Sequence, residues 1–159
     1  MNLLAPAHPQ FPRFRLGKAL SVMAWIEDAS GNILLVRQSK DKRLWTLPGG
    51  KVRLPEALSS ALERELAEEI SQSTQTSHIV DIFDRPEKHA LCILFRTVLK
   101  GTKLRLAKGE IEASMYTSQL PENVTPSLRY FWQRHFRHKS DIHRAANPAP
   151  AKKVALIAA

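Results

Sequence analysis

The sequence predicts a single domain of the α/β class, in which short strands alternate with two amphipathic helices. Its 159 residues are 43% hydrophobic and 25% charged, which suits one globular core rather than a disordered or two-domain chain. Three observations carry this prediction. They are apolar runs of strand length, one helix with apolar residues at every fourth position, and a second helix introduced by a threonine and a proline.

The first predicted elements are an N-terminal arm and a pair of strands. Residues 1–17 contain three prolines and only basic charges, which predicts an arm laid on the domain rather than a helix or a strand. An apolar segment at 19–26, turn residues at 28–32 and a second apolar segment at 33–37 follow. This pattern predicts two strands joined as a β-hairpin.

The first helix is predicted over residues 55–70. Pro55 suits a first helical turn because that turn needs no backbone N–H at its start. A polar loop is predicted over 71–77, and extended segments over 79–83, 90–99 and 113–117. The apolar residues of the helix recur every four positions as one buried stripe, formed by Leu58, Leu62, Leu66 and Ile70.

The second helix is predicted to begin after Thr125, whose hydroxyl can cap it, with Pro126 in the first turn. Beyond His138 no periodicity remains, so residues 139–159 are interpreted as a basic tail rich in alanine, proline and lysine. The apolar side of the helix is expected to consist of Leu128, Phe131, Trp132 and Phe136.

Charge and cysteine content narrow the classes of function. The chain has 24 lysines and arginines against 15 acidic residues, a net charge of +9, which favours a polyanionic partner or substrate. The single cysteine, Cys92, excludes an internal disulfide framework and a cysteine-rich zinc site, and its apolar neighbours predict core packing. The sequence shows no secretory pattern or membrane-length apolar run, which predicts a cytoplasmic protein.

Five of the ten glutamates in this basic chain fall between Gly50 and Gln72. On the predicted helix Glu65, Glu68 and Glu69 are three and four positions apart, so they share a face and repel one another. A hard divalent cation removes that repulsion, and Mg²⁺ prefers carboxylate oxygens and substrate phosphates. The alternative is an ordinary solvated helix face.

The spacing of these residues resembles the signature of the Nudix hydrolases, which are Mg²⁺-dependent enzymes that cleave a diphosphate linked to another moiety. Gly50 is followed after five residues by Glu56, and seven residues later by Arg64-Glu65-Leu66; one residue then precedes Glu68-Glu69. Such a match arises by chance with a probability of ~10⁻⁶ over the chain. With the flanking segments, the resemblance spans residues 18–138. It implies a Nudix-type α/β/α sandwich with a mixed sheet and a catalytic loop-helix-loop.

The resemblance also implies roles for single residues. Glu65, Glu68 and Glu69 are expected to bind Mg²⁺, or Mn²⁺ in its place, with the Gly50 carbonyl as a further ligand. Glu56 and Arg64 resemble the pair that orients this cluster through charge-assisted hydrogen bonds.

The general base is left open by the signature. It is a glutamate of the helix or an acidic residue of a later loop, for which Glu110 is the first candidate and Glu112 the second. Arg37, at the end of the second strand, is a candidate ligand of a substrate phosphate, the alternative being a solvent-facing arginine.

The chain departs from the family pattern at three positions. Ser71 and Gln72 stand where the family usually has glycine and an aliphatic residue, and Pro55 stands where glycine is common before Glu56. Two functions therefore stay open. The first is hydrolysis of a nucleoside diphosphate derivative or nucleotide, and the second is a weakened domain that binds nucleotide or RNA without turnover. The basic termini would hold the RNA. The sequence is compatible with a homodimer and leaves the substrate and the oligomeric state undetermined.

Overall fold

The structure is a computed structural model that describes residues 17–39 and 43–136, and it confirms the α/β class. The predicted tail, and the predicted arm except Gly17, lie outside the described residues. In chain order the elements are β1 (Ala19–Trp25), β2 (Ile33–Gln38), β3 (Trp45–Thr46), β4 (Gly49–Lys51), α1 (Leu58–Ile70), β5 (Thr74–Arg85), β6 (Ala90–Leu99), β7 (Ile111–Thr117) and α2 (Pro126–His135).

The strands of the described ranges form two sheets. The first has four strands in the order β4-β1-β6-β5, and it is mixed because β1 runs parallel to β6 while the other neighbours are antiparallel. The second has three antiparallel strands in the order β3-β2-β7. The mixed sheet expected from the resemblance is therefore confirmed.

The predicted hairpin of β1 and β2 is wrong, although the turn between these strands forms. The Asp28 carboxylate accepts hydrogen bonds from the backbone N–H groups of Ser30 and Asn32, both within 2.9 Å. After one bridge between Glu27 and Ile33, the strands diverge into different sheets. Both edges of β1 are already occupied, by β4 and β6, and a strand has only two edges for pairing.

Two apolar clusters hold the sheets between the helices. Because successive side chains of a strand point to opposite faces, Leu34 and Val36 of β2 pack in the cluster under α1, while Ile33 and Leu35 pack in the cluster under α2. Cys92 belongs to the α2 cluster and is buried, as its apolar neighbours predicted. The layers are thus helix, sheet and helix.

Two predicted starts, those of α1 and β5, differ from the observed ones by three residues or more. The helix α1 begins at Leu58 rather than 55, because Arg53 and Glu56 close a turn through the Glu56 N–H and the Arg53 carbonyl at 2.8 Å, which places Pro55 in the preceding loop. The strand β5 begins at Thr74 rather than 79. Glu63 of α1 fixes that start by accepting hydrogen bonds from the backbone N–H and the hydroxyl of Thr74.

The predicted start of α2 is confirmed. Thr125 precedes it, and its hydroxyl oxygen accepts the Leu128 N–H at 3.3 Å while Pro126 occupies the first turn. The strand β6 has the predicted bounds, and β7 begins two residues earlier than predicted. Of the helices in residues 17–39 and 43–136, none is long and apolar enough to cross a membrane.

Candidate active site

The glycine pair of β4 brings the sheet close to the glutamates of α1. Gly49 has a φ of +136°, and a side chain there would overlap the Val22 carbonyl of β1. At Gly50, an added Cβ would lie 2.5 Å from the carboxyl carbon of Glu65. Glycine at both positions therefore lets β4 pair with β1 and leaves room for the Glu65 carboxylate.

Arg64 is the centre of the site's hydrogen-bond network. Its guanidinium holds Glu56 through two bonds, from Nε at 3.1 Å and from Nη2 at 2.7 Å. The same Nη2 donates to the Lys51 carbonyl at 2.9 Å, and Nη1 donates to Glu65 at 2.6 Å and to Glu68 at 3.2 Å. One planar cation thus ties α1 to the loop before it and to β4, a geometry that a lysine ammonium cannot reproduce.

Glu56 is held in its charged form. The hydrogen bonds from Arg64, followed by the Arg53 backbone N–H at 2.6 Å, lower the pKa of Glu56 to about 2. The same contact raises the pKa of Arg64, since each charge favours the other. Glu56 is therefore an anion whose charge Arg64 already compensates.

Glu69 is in the opposite situation. It is only 6% exposed, and its carboxylate accepts the Gly49 N–H at 2.9 Å. Burial raises the pKa of Glu69 to about 8, and the nearby charges of Glu65, Glu110 and Glu68 add to that effect. Near neutral pH the buried Glu69 carboxyl therefore keeps its proton unless a cation close by compensates its negative charge.

The residues fit a hard divalent cation in their chemistry. Glu65, Glu68 and Glu69 offer only oxygen donors, and the buried charge of Glu69 is penalised in the absence of a cation. Within the described parts of the chain these carboxylates do not surround a common point, because Arg64 holds Glu65 and Glu68 toward itself. The participation of the Gly50 carbonyl stays a prediction.

Glu110, the first candidate for a general base, lies near the buried carboxylate. It follows Gly109, which has a φ of +83°, and it is exposed. The Ser39 N–H donates to the Glu110 carbonyl at 2.8 Å and anchors this turn to the end of β2. The Glu110 N–H donates to the Ala107 carbonyl at 3.3 Å, and the Ala107 N–H donates to the Glu69 carbonyl at 3.0 Å, so the late acidic segment is bound to the end of α1 that carries Glu69.

Glu112, the second candidate, has different neighbours. Its carboxylate lies 3.4 Å from Nε of Arg37 and 3.5 Å from Nε of Arg43. The Arg37 guanidinium also lies over the Trp45 ring, 5.2 Å from its centroid. The Arg37 Nε is buried and has no hydrogen-bond partner in the part of the chain that the structure describes. Arg37 is thus a half-buried cation paired with Glu112 rather than a free surface arginine.

The departures at the end of α1 have structural roles. Ser71 has a φ of 54° and a ψ of 44°, the left-handed conformation that glycine adopts freely, and its N–H donates to the Leu66 carbonyl. The Gln72 amide donates to the Lys103 carbonyl at 2.6 Å and accepts the Gly101 N–H at 3.2 Å. Neither residue contacts the carboxylates.

Three supporting contacts of the site are not signalled by the sequence. The Lys51 carbonyl fixes the Arg64 guanidinium, and Arg53 reaches Glu68 at 3.4 Å. The Ala107 N–H donates to the Glu69 carbonyl at 3.0 Å and binds the loop before β7 to α1. The sequence does not indicate these contacts, because every residue has backbone groups and Arg53 belongs to no recognisable motif.

Comparison with known proteins places this geometry in a family. The family profile of the NUDIX domain matches residues 17–136. A MutT NUDIX hydrolase from Burkholderia pseudomallei superposes with a TM-score of 0.67 and 23% identity over 74% of this chain and 98% of that chain. The MutT protein from Methanosarcina mazei Go1 superposes with a TM-score of 0.60 and 28% identity, and the match covers 74% of this chain and 91% of that chain. An ADP-ribose pyrophosphatase from Streptococcus suis superposes with a TM-score of 0.58 and 22% identity, and the match covers 76% of this chain and 93% of that chain. A search of curated proteins gave no significant match.

Proposed function

The chain belongs to the Nudix hydrolase family, and we propose that it hydrolyses the diphosphate linkage of a nucleoside diphosphate derivative or nucleotide with Mg²⁺ as its metal. The observation that carries the proposal is the Arg64 network. The Arg64 guanidinium bonds Glu56 of the loop before α1 and Glu65 and Glu68 of α1, so one cation holds three carboxylates together. A solvated helix face would need no such arrangement, because its carboxylates would be free to separate in water.

The metal is assigned to the carboxylates. The family generally uses a divalent metal, typically Mg²⁺. We assign it to Glu65, Glu68 and Glu69 with the Gly50 carbonyl, and the desolvated charge of Glu69 supports this choice. When bound, such a cation neutralises phosphate oxygens and lowers the pKa of a coordinated water.

The other residues then divide the remaining tasks. Arg64 and Glu56 position the cluster, because they form a compensated ion pair that spans the loop and the helix. Glu110 is assigned as the general base over Glu112, since Glu112 is already paired with two arginines. Arg37 is assigned to a substrate phosphate, because its guanidinium is a cation at the end of β2 whose side chain is still 34% exposed.

The alternative of a domain that binds without turnover has less support. Ser71 bonds the Leu66 carbonyl and Gln72 bonds the 101–103 loop, and these contacts away from the carboxylates support an intact site. Of the basic residues toward the C-terminus, which would contribute to RNA binding, Arg134 and His135 both contact Asp81 at 2.7 Å. The others lie outside the described residues, namely Arg137, His138, His143 and Arg144.

The test is a hydrolysis screen with a metal control. Nucleotide sugars, ADP-ribose, dinucleoside polyphosphates, nucleoside triphosphates and capped RNA are incubated with the protein, and product release is followed with Mg²⁺ and with excess chelator. We expect turnover of at least one substrate with Mg²⁺ and none with chelator. Turnover that persists in chelator would refute the metal assignment, and tight binding of a nucleotide without any product would favour the binding domain.

A matched pair of variants links the turnover to the site. Glu65→Gln removes a carboxylate that contacts Arg64, whereas Glu87→Gln removes an exposed one on the β5–β6 connection that pairs with Arg85. We expect only the first to reduce turnover. Equal loss in both would mean that the effect is not specific to the proposed site.

A further inference from the structure

The loop between β6 and β7, residues 100–110, is bonded to the end of α1 that carries Glu69. The Arg105 N–H donates to the Ile70 carbonyl at 3.1 Å, and the Ala107 N–H donates to the Glu69 carbonyl at 3.0 Å. Two consecutive carbonyls at the end of the helix thus accept hydrogen bonds from the same short stretch of the loop. The middle of the loop is therefore fixed beside the last turn of α1.

The cations of this loop are on its solvent side. Leu104 and Leu106 are partly buried and pack against the cluster under α1, whereas Lys103, Arg105 and Lys108 are exposed. The two leucines hold the loop against the core, so its basic side chains are left in water. The result is an exposed basic surface next to an acidic site.

Lys108 belongs to the turn that also carries the candidate general base. The Ala107 carbonyl accepts the N–H groups of Glu110 and Ile111, at 3.3 Å and 3.0 Å, and this pair of bonds closes the turn around Lys108. A cation and the Glu110 carboxylate are therefore two positions apart on one segment that is bonded to α1.

These cations have no carboxylate to compensate them. Within the described residues Arg105 and Lys108 form no ion pair, residues 100–109 contain no acidic residue, and Arg64 and Arg53 are the cations that hold the glutamates of α1. Every other arginine in the described ranges forms an ion pair or donates a side-chain hydrogen bond. The unpaired guanidinium of Arg105 is suited to a phosphate, which it can bond through two of its N–H groups.

We propose that Arg105 and Lys108 bind the phosphates beyond the scissile diphosphate, so that the preferred substrate carries a chain of three or more phosphates. This inference rests on the proposed function, because it extends the same site from the carboxylates onto the loop. Each additional phosphate brings a further negative charge, which a cation next to the carboxylates compensates. A substrate with two phosphates, such as ADP-ribose, gains nothing from these cations.

A purely structural role for the two cations is the alternative. The last turn of α1 contains no basic residue, and a cation close to a helix C-terminus stabilises its unpaired carbonyls. In that role Arg105 and Lys108 would affect stability but not the choice of substrate. The experiment therefore needs both readouts.

Substrate preference tests the proposal with two matched double variants. Arg105→Gln with Lys108→Gln removes two charges from the loop beside Glu69. The control, Lys88→Gln with Lys100→Gln, removes two exposed charges that form no ion pair in the part of the chain that the structure describes. The kcat/KM values for a nucleoside triphosphate, a dinucleoside tetraphosphate and a 5′-triphosphate oligonucleotide are each divided by the value for ADP-ribose. These three substrates distinguish a free nucleotide, a dinucleotide and an RNA end as the source of the phosphate chain.

We expect the original chain to prefer at least one of the three longer substrates over ADP-ribose. For that substrate the ratio should fall by at least ~10-fold in the Arg105/Lys108 variant, because charge-assisted hydrogen bonds to phosphate are lost. In the control it should change by no more than about twofold, since distant surface charges are screened by salt.

Binding of inorganic tripolyphosphate separates this proposal from the proposed function. Calorimetry in metal-free buffer at low ionic strength compares its affinity with that of pyrophosphate, and no turnover is needed. We expect the preference for tripolyphosphate to be reduced in the Arg105/Lys108 variant and retained in the control. If no substrate is hydrolysed but this pattern is found, the proposed function fails while the phosphate site is supported.

Three results would overturn the proposal. The first is a preference of the original chain for ADP-ribose over all three longer substrates, and the second is an equal fall of the ratio in both double variants. The third is a lower Tm of the Arg105/Lys108 variant with an unchanged ratio, which would assign the two cations to the carbonyls at the end of α1.

Discussion

Glu56 and Glu69 belong to the same site, yet the structure gives their carboxylates opposite properties. Arg64 lowers the pKa of Glu56 to about 2, and burial raises the pKa of Glu69 to about 8. Glu56 stands in the loop before α1 with a cation bonded to both of its oxygens. Glu69 is in the last turn of α1, beneath β4, and its carboxylate accepts a single backbone N–H.

The difference separates positioning from metal binding. A carboxylate with both oxygens bonded by an arginine, as in Glu56, has little left to offer a metal but fixes the geometry around it, whereas Arg64 bonds only one oxygen of Glu65 and one of Glu68. A buried carboxylate without a cation is costly, and binding a divalent ion removes that cost. We therefore propose that Glu56 supports the site and that Glu69 binds the metal, and the predictions on Glu69, Arg64 and Glu56 below test that division.

The largest expected effect is on turnover after Glu69→Gln. This change keeps the size of the side chain and removes a charged ligand, so kcat should fall by at least ~10²-fold with Mg²⁺ while the fold is retained. Steady-state kinetics measure the fall in kcat, and the circular dichroism spectrum checks that the fold is retained. Near-normal kcat in this variant and in Glu68→Gln would place the chemistry elsewhere.

A smaller loss is expected from Arg64→Lys, which keeps the charge but cannot bond both oxygens of Glu56. We expect kcat/KM to fall by roughly 10-fold or more, because Glu65 and Glu68 lose their common donor. Arg129→Lys is the matched control, since Arg129 is exposed on α2 and donates to the Glu122 carbonyl. Similar losses in both variants would show that Arg64 does not position the site.

The two carboxylates should also affect stability in opposite pH ranges. Without metal, folded Glu69 keeps its proton between its ordinary pKa of 4.5 and about 8, whereas the unfolded chain has lost it. Its contribution to stability is thus complete below 4.5 and is lost as the pH rises through 8. Glu56 behaves oppositely, and its contribution is lost as the pH falls from 4.5 toward 2.

Melting curves in excess chelator test this contrast. From about pH 5 to about pH 9, we expect the Tm of Glu69→Gln to rise relative to the original chain by roughly 5–10 °C. Glu56→Gln should show no such relative rise over the same range. Parallel pH profiles for the original chain and Glu69→Gln would contradict the raised pKa.

The smallest expected effect is at the end of α1, two residues after Glu69. Ser71 has a left-handed conformation that costs a residue with a Cβ about 1 kcal/mol. Ser71→Gly should therefore increase the free energy of unfolding by a few tenths to ~1 kcal/mol, part of the gain being offset by glycine's larger entropy in the unfolded chain. Denaturant unfolding measures this change, and turnover should be unaffected. Activity that appears only in the Ser71→Gly variant would instead favour the binding domain.

The sequence by itself determined the features that depend on local pattern. Apolar periodicity located α1, a continuous apolar run located β6, and the Thr125-Pro126 pair located the start of α2, because these patterns involve residues close in the chain. The spacing of the glutamates identified the family for the same reason.

Tertiary structure decided what depends on partners distant in the chain. The hairpin prediction failed because β6, some 70 residues after β1, occupies the edge that β2 would need. The early start of β5 depends on Glu63 of α1, and the role of Gln72 depends on the 101–103 loop. Likewise, sequence spacing cannot distinguish Glu56 from Glu69. Their pKa values depend on desolvation and on the direction of one guanidinium, which exist only once the chain has folded.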